Sequence, residues 1–263
     1  MPVNDQAFSL KLSESEIWER LQTVRRQPVD AEWLANQYSP ALTRELRNAI
    51  AEQLGLKEQQ GWQHIQQLIE RYGLNRELIQ AAGLSHQKKA YEWLLSLIEN
   101  QKEHDLHADI GEAIACWGAE LPEQTLVHFL SHHGERERMA GLTMLRFRSH
   151  HLSAESLLNY CEHALTDDRE TVVATAIRLL QRRDEAKVSR RISQLCHEGS
   201  DNTAKAALKA LGCINNSSSQ HCLLQLSKDL ECKERRMLAT KQLSQQYLKI
   251  LSNKKDRYNR THC

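Results

Sequence analysis

The chain has 263 residues, 40 % of them hydrophobic and 26 % charged, and a formal net charge of +1, which indicates a folded protein rather than a charged disordered tail. Its seven cysteines are odd in number and include no Cys-x-x-Cys pair, so we expect reduced thiols in a cytoplasmic protein rather than disulfides. No apolar run approaches the roughly 18 residues of a membrane-spanning helix, and residues 1–11 lack the pattern of a signal peptide.

Helical patterns follow one another along almost the whole chain. After a flexible arm at residues 1–12, Ser13 and Glu16 predict a capping box at the start of the first helix. Apolar residues at i, i+3, i+4 and i+7 spacing then predict about seven pairs of amphipathic helices within residues 13–251, and no period-two pattern indicates a strand. Residues 252–263 are basic and poor in apolar side chains, which predicts a disordered tail. The apolar stripe on the first helix of each pair begins, in chain order, at Trp33, Trp62, Tyr91, Leu126, Leu157, Val188 and Cys222.

A helix ending recurs along these pairs. Residues 46–55 (LRNAIAEQLG) and 202–212 (NTAKAALKALG) are both amphipathic, carry small residues on the apolar face and close with Leu-Gly. Weaker copies end at Gly83 and Gly118, and copies without the glycine end near Leu145, Leu179 and Leu243. The endings recur about every 30 residues, which is typical of a stacked helical solenoid.

This string resembles the second helix of HEAT-type repeats, which commonly reads hydrophobic-Arg-x-x-Ala-x-x-x-Leu-Gly. Residues 46–55 fit it well, and residues 204–212 fit it with Lys205 where arginine is usual. The resemblance covers roughly residues 28–250. It implies an all-α fold, an α-solenoid of about seven degenerate antiparallel helical hairpins, and a binding surface on its concave face.

Within that superfamily, the short repeat and the size of the chain are similar to those of the HEAT-like repeat proteins related to phycobilin lyases. Those proteins attach or detach bilin chromophores on cysteines of antenna proteins. The resemblance therefore implies an alternative function, that of a pigment and protein chaperone, and it assigns no site residue.

The charge is divided unevenly along the chain. Residues 1–118 carry 12 Lys and Arg against 17 Asp and Glu, a net charge of −5, whereas residues 119–263 carry 23 against 17, a net charge of +6. Such a distribution can orient a charged partner, although two merely solvated surfaces would have the same composition.

We expect the function to be non-catalytic, that of a cytoplasmic scaffold or adaptor which holds a protein or peptide. Second helices would form the concave face, and an acidic surface on the partner would suit the basic half. No phosphate loop, nucleophile elbow or dinucleotide turn occurs, and we expect no catalytic residue, cofactor or membrane contact. The candidate contact residues lie on second helices off the apolar stripe: Arg44, Arg47, Glu52, Glu112, Arg136, Arg146, Arg178, Lys205, Lys209, Arg236 and Lys241.

Two further possibilities are weaker. His128 and His132 have the i, i+4 spacing of zinc ligands, but no third ligand is evident, and the cysteines at 213, 222 and 232 are too widely spaced, so we expect no metal. The basic stretch at residues 182–191 could hold a nucleic-acid backbone, but all five tryptophans lie between residues 18 and 117, far from it in sequence.

Overall fold

A computed structural model of the protein describes residues 12–100 and 104–261, and side chains up to residue 248. The described residues form fifteen α-helices, three short 3-10 turns and no strand, so the predicted all-α fold class is confirmed. The predicted arm at residues 1–12 lies outside the described residues except for Leu12. The helices are α1 (Glu14–Gln22), α2 (Ala31–Gln37), α3 (Arg44–Gly55), α4 (Glu58–Tyr72), α5 (Arg76–Leu84), α6 (Lys88–Asn100), α7 (His107–Ile114), α8 (Glu123–Ser131), α9 (Glu135–Arg148), α10 (Ala154–Leu165), α11 (Glu170–Leu180), α12 (Ala186–Glu198), α13 (Asp201–Ile214), α14 (Ser217–Asp229) and α15 (Lys233–Thr261).

After α1, the helices follow one another as seven pairs, from α2 with α3 to α14 with α15. The chain divides into two compact units, Met1–Trp117 and Gly118–Cys263, a division that falls inside the segment predicted as one solenoid. In the first unit, the second helices α3, α5 and α7 pack in succession. In the second unit, α9, α11, α13 and α15 form one layer and α8, α10, α12 and α14 the other. Within each unit, the second helices thus pack on one another and each paired helix packs on its mate, as in a solenoid.

Helix starts follow the local sequence. Ser13 accepts a hydrogen bond from the Glu16 backbone N–H, and the Ser13 backbone N–H donates to the Glu16 carboxylate at 2.8 Å, which confirms the predicted capping box. Asp30 likewise accepts from the Trp33 N–H at 2.6 Å at the start of α2. The last helix, α15, has neither glycine nor proline and continues to Thr261, so it includes most of the segment predicted as a disordered tail. None of the helices that the structure describes has the length and apolarity needed to cross a bilayer.

The recurring glycines serve close packing between helices. Gly55 and Gly83 have ordinary helical backbones, and Gly73 is the one glycine of the described residues with a positive φ. A Cβ at Gly83 would lie 2.5 Å from the Ala113 carbonyl oxygen, and one at Gly55 would lie 2.7 Å from the Ala81 oxygen. In each case the nearby backbone belongs to the next second helix. At Gly55 and Gly83, two second helices therefore approach too closely for any side chain.

The leucines of the same endings are buried. Leu54, Leu145 and Leu211 are fully inaccessible to solvent, and Leu179 retains a small exposed edge. Trp117 differs from them because it is only half-buried, with its ring against Tyr91 at a centroid distance of 5.6 Å. The apolar core thus lies between the two helix layers of each unit, and it leaves the polar faces of the second helices to solvent.

Candidate functional site

Arg47 is held within the first unit rather than presented to a partner. Its guanidinium donates from Nη1 to the carbonyl oxygens of Pro40 at 3.2 Å and Leu42 at 2.9 Å. The same group pairs with the buried carboxylate of Glu77 at 2.9 Å. Its donors therefore satisfy the turn before α3 and a charge on α5 of the next repeat.

Arg236 makes the same kind of contact in the second unit. Its Nη1 donates to the carbonyl oxygens of Leu230 at 2.5 Å and Glu231 at 2.9 Å, in the turn between α14 and α15. The sequence predicts Arg47 and Arg236 as contact residues because both lie off the apolar stripe of a second helix. The structure places both guanidiniums against turn carbonyls, a contact that their sequence position alone does not reveal.

The other predicted contact residues are exposed on second helices. In the first unit they include two acids, one of which, Glu112, lies 4.0 Å from Arg76. In the second unit they are all basic. The exposed set comprises Arg44, Glu52, Glu112, Arg136, Arg146, Arg178, Lys205, Lys209 and Lys241.

Arg146 and Arg178 lie on the same groove in the second unit. The groove has a volume of about 540 Å³ and lies along the last turns of α9 and α11. Its lining contains four arginines and one histidine, and none of the described residues that form it is a carboxylate. The lining residues are Leu142, Thr143, Arg146, Ser149, His150, Thr175, Arg178, Leu179, Gln181, Arg182 and Arg183.

The groove is lined by equivalent positions of two successive repeats. Arg146 and Arg178 are 32 residues apart, as are Thr143 and Thr175, so α9 and α11 present equivalent residues to it. Both threonines donate their hydroxyl hydrogens to their own helices: Thr143 to the Met139 oxygen at 2.9 Å, Thr175 to the Thr171 oxygen at 2.8 Å. The side-chain donors left to face a ligand are therefore mainly guanidiniums.

Two of the four arginines have fixed positions. Arg183 donates from Nη2 to the carbonyl oxygen of Ser149, which links the turn after α11 to the turn after α9. Arg146 lies over the ring of Phe147, with its guanidinium carbon 5.2 Å from the ring centroid. Sequence reasoning noted Arg182 and Arg183 as a basic stretch but did not connect them with Arg146 and Arg178, because the connection requires the packing of α9 on α11.

The turn at the other end of α11 is built around a buried carboxylate. Asp167, whose side chain is fully buried, pairs with Arg138 of the preceding repeat and with Arg169 at 2.8 Å. Burial alone would raise the pKa of Asp167, but hydrogen bonds from Arg169 and the charge of Arg138 hold that pKa far below its usual range. An aspartate just before an apolar helix commonly caps that helix. The structure instead places Arg169 at the N-cap and uses Asp167 to join two repeats.

Beside this turn lies a second cavity of about 310 Å³ whose lining includes Asp168, Glu170 and Glu198. Glu170 accepts hydrogen bonds from Ser200 and from Asn202, the latter at 2.8 Å, so its carboxylate serves the contact with the next repeat. Four carboxylates and one arginine line the cavity at the beginning of α11, whereas four arginines and no carboxylate of the described residues line the groove at its end.

His128 and His132, considered above as possible zinc ligands, lie close together, and several of the cysteines are buried. His128 and His132 lie with ring centroids 5.7 Å apart, and His132 accepts a hydrogen bond from the Gly134 N–H at 3.1 Å. The six cysteines within the described residues are free, and burial raises the pKa of the Cys161 and Cys196 thiols to about 12. Cys263 lies outside the described residues. The thiols of Cys161 and Cys196 are therefore poor nucleophiles at neutral pH.

The comparisons with known proteins assign no family to this chain. No family model matches it, and no curated protein matches it. Among solved structures it is similar to human deoxyhypusine hydroxylase in complex with glycerol, at 14 % identity over 90 % of this chain and 92 % of that chain, with a TM-score of 0.39. A likeness at that level carries no argument, and the helical-repeat fold is established here by the helices and their packing.

Proposed function

We propose that this protein is a non-catalytic scaffold or adaptor of the cytoplasm that binds a protein partner through the second helices of its second unit. The observation that carries the proposal is a row of exposed basic side chains on three successive second helices. Arg146, Arg178 and Lys209 are spaced by 32 and 31 residues and lie on α9, α11 and α13.

Stacked repeats support this function because they supply a long and ordered surface without any catalytic element. A row of like charges is destabilising for the free protein but favourable against an acidic partner, whose approach it accelerates. The free cysteines of the described residues fit a reducing compartment.

The test is a triple charge reversal, Arg178→Glu with Lys205→Glu and Lys209→Glu. We expect this variant to lose a salt-sensitive partner that the wild type captures from its native lysate, with an unchanged melting temperature. The matched control reverses three exposed lysines elsewhere, Lys89, Lys228 and Lys233, and should retain the partner.

Equal capture by both variants would contradict the proposal. So would a wild-type preparation that captures no protein but binds a tetrapyrrole tightly, because that result would support the alternative of a bilin-handling chaperone.

A further inference from the structure

The groove along the ends of α9 and α11 has a more specific chemistry than the row of basic residues around it. We propose that it binds a phosphoryl group on a side chain of the protein partner, so that the scaffold recognises a phosphorylated segment. This inference rests on the proposed function, since it names the partner chemistry of part of the same surface.

The first argument is the kind of donor that the groove offers. Arg146, Arg178 and Arg182 are exposed in it, and none of its described lining residues is a carboxylate that could neutralise them. A guanidinium presents a planar fork of N–H donors that matches two oxygens of a phosphoryl group, which the point charge of a lysine does not. Arginine supplies every full positive charge here, whereas Lys205 and Lys209 on α13 lie outside the groove.

The second argument is that the hydroxyl groups in the groove already donate their hydrogen bonds to the backbone. The hydroxyls of Thr143 and Thr175 donate to backbone oxygens of their own helices, and Ser149 donates to the Arg146 carbonyl at 2.8 Å. A neutral polyol would find few hydroxyl donors and several unneutralised charges. A strongly anionic ligand satisfies the groove better.

The third argument concerns the amount of charge. A carboxylate brings one negative charge, whereas a phosphorylated side chain brings about −1.5 to −2 at pH 7 and three acceptor oxygens. Arg146 and Arg178 also lie in the last turns of α9 and α11, where each offsets a helix dipole. A helix end carries about half a negative charge, so the two dipoles balance only part of the charge of the four arginines and leave the rest for a ligand.

The fourth argument favours a peptide over a nucleic-acid strand. A strand without sequence preference needs aromatic platforms on which its bases stack. The groove is a single site of about 540 Å³, the cavity at the other end of α11 is lined by four carboxylates and one arginine, and all five tryptophans belong to the first unit. Fixed arginines such as Arg183 also lower the entropic cost of binding one anionic group.

The experiment uses the full chain and three labelled peptide pools of random flanking sequence, with phosphoserine, serine or glutamate at the fixed centre. Fluorescence anisotropy in about 150 mM salt should show the phosphoserine pool binding at least about tenfold more tightly than the serine and glutamate pools. Free O-phosphoserine and inorganic phosphate should both compete, each more weakly than the phosphoserine peptides, because both lack the peptide contacts.

Two variants separate geometry from charge. Arg146→Lys with Arg182→Lys keeps the net charge but removes the forks, and it should weaken phosphoserine binding several-fold. The same positions changed to glutamate should abolish binding. Lys228→Glu with Lys233→Glu carries the same charge change as that second variant but lies outside the groove, and it should bind as the wild type does.

A further measurement uses only the wild type, so its result does not depend on whether the variants fold. An arginine-specific dicarbonyl reagent should modify Arg146, Arg178 and Arg182, and the phosphoserine pool should protect them. Equal affinity for the glutamate and phosphoserine pools, or an unchanged affinity in the lysine variant, would overturn the inference. Tighter binding of a single-stranded RNA oligonucleotide than of any peptide pool would also overturn it. If phosphopeptides fail while Lys205 and Lys209 still govern partner capture, only this inference falls and the scaffold remains.

Discussion

At the scale of single residues, Asp167 shows how two repeats of the second unit are joined. Its buried carboxylate pairs with Arg138 on α9 of the preceding repeat and with Arg169 in its own turn. Removing one partner from a buried charge set costs much more than removing an exposed ion pair, because the remaining charges stay desolvated. The contribution of Asp167 to folding is therefore measurable in a single substitution.

Asp167→Asn should lower the free energy of unfolding by about 1–3 kcal/mol, since the nearly buried guanidinium of Arg138 loses its counter-charge. Urea unfolding followed by circular dichroism measures this change. The matched control is Asp168→Asn, whose side chain is 94 % exposed and whose effect should stay within about 0.5 kcal/mol. Similar midpoints for the two variants would show that the buried ion pairs contribute nothing net.

The same carboxylate predicts a dependence on acid. Because the folded-state pKa of Asp167 lies far below its ordinary value, its ionised form stabilises the fold fully above the unfolded pKa of about 4. That contribution should decline as the pH falls below about 4. Between pH 5 and pH 2.5 the wild type should therefore lose more stability than Asp167→Asn does, as followed by urea midpoints at each pH. Parallel losses in the two proteins would contradict the assignment.

The partners of two arginine side chains could not be predicted from the sequence. It predicted that Arg47 and Arg236 lie on second helices off the apolar stripe, and it proposed both as contact residues. Their carbonyl partners lie in turns five to seven residues earlier in the chain. Whether a long side chain folds back on such a turn or extends into solvent depends on turn geometry, and helical periodicity carries no information about it.

At the scale of helices, the repeat period came directly from the sequence but its physical cause did not. A Leu-Gly ending suggests a helix terminator, because glycine is the usual residue just beyond a helix. Gly55 and Gly83 instead lie within the last turns of α3 and α5, under the backbone of the next second helix. Spacing along one chain cannot distinguish these two reasons, since both put glycine at the same place.

Gly83→Ala tests the packing reason. Its new Cβ would meet the backbone of Ala113 at 2.5 Å, so α5 and α7 must separate, at a cost of about 1–3 kcal/mol. Urea unfolding of the full chain reports this cost. Gly134→Ala is the control, because its Cβ would meet the end of the Glu137 side chain, which can turn aside. A stabilised Gly83→Ala variant, as expected if only helix propensity mattered, would refute the close approach.

At the scale of the whole molecule, the charge division seen in the sequence follows the structural division. The net charge of −5 belongs to residues 1–118, and the structure ends its first unit at Trp117. The sequence showed the change of charge without predicting a boundary there, because the repeat pattern continues on both sides. The groove was also hidden from the sequence, since its arginines come from two helices and the turn after α11, which only packing brings together.

The 32-residue register that places Arg146 and Arg178 on equivalent turns also sets a length scale for what binds there. Packed helices lie about 8–10 Å apart, and an extended chain advances about 3.3 Å per residue. One step from α9 to α11, or from α11 to α13, therefore matches about three residues of an extended ligand. Peptides with negative side chains at every third position should bind more tightly than peptides of identical composition with those side chains adjacent, in the same anisotropy assay. The array would then measure spacing along its partner, with one repeat as the unit of length.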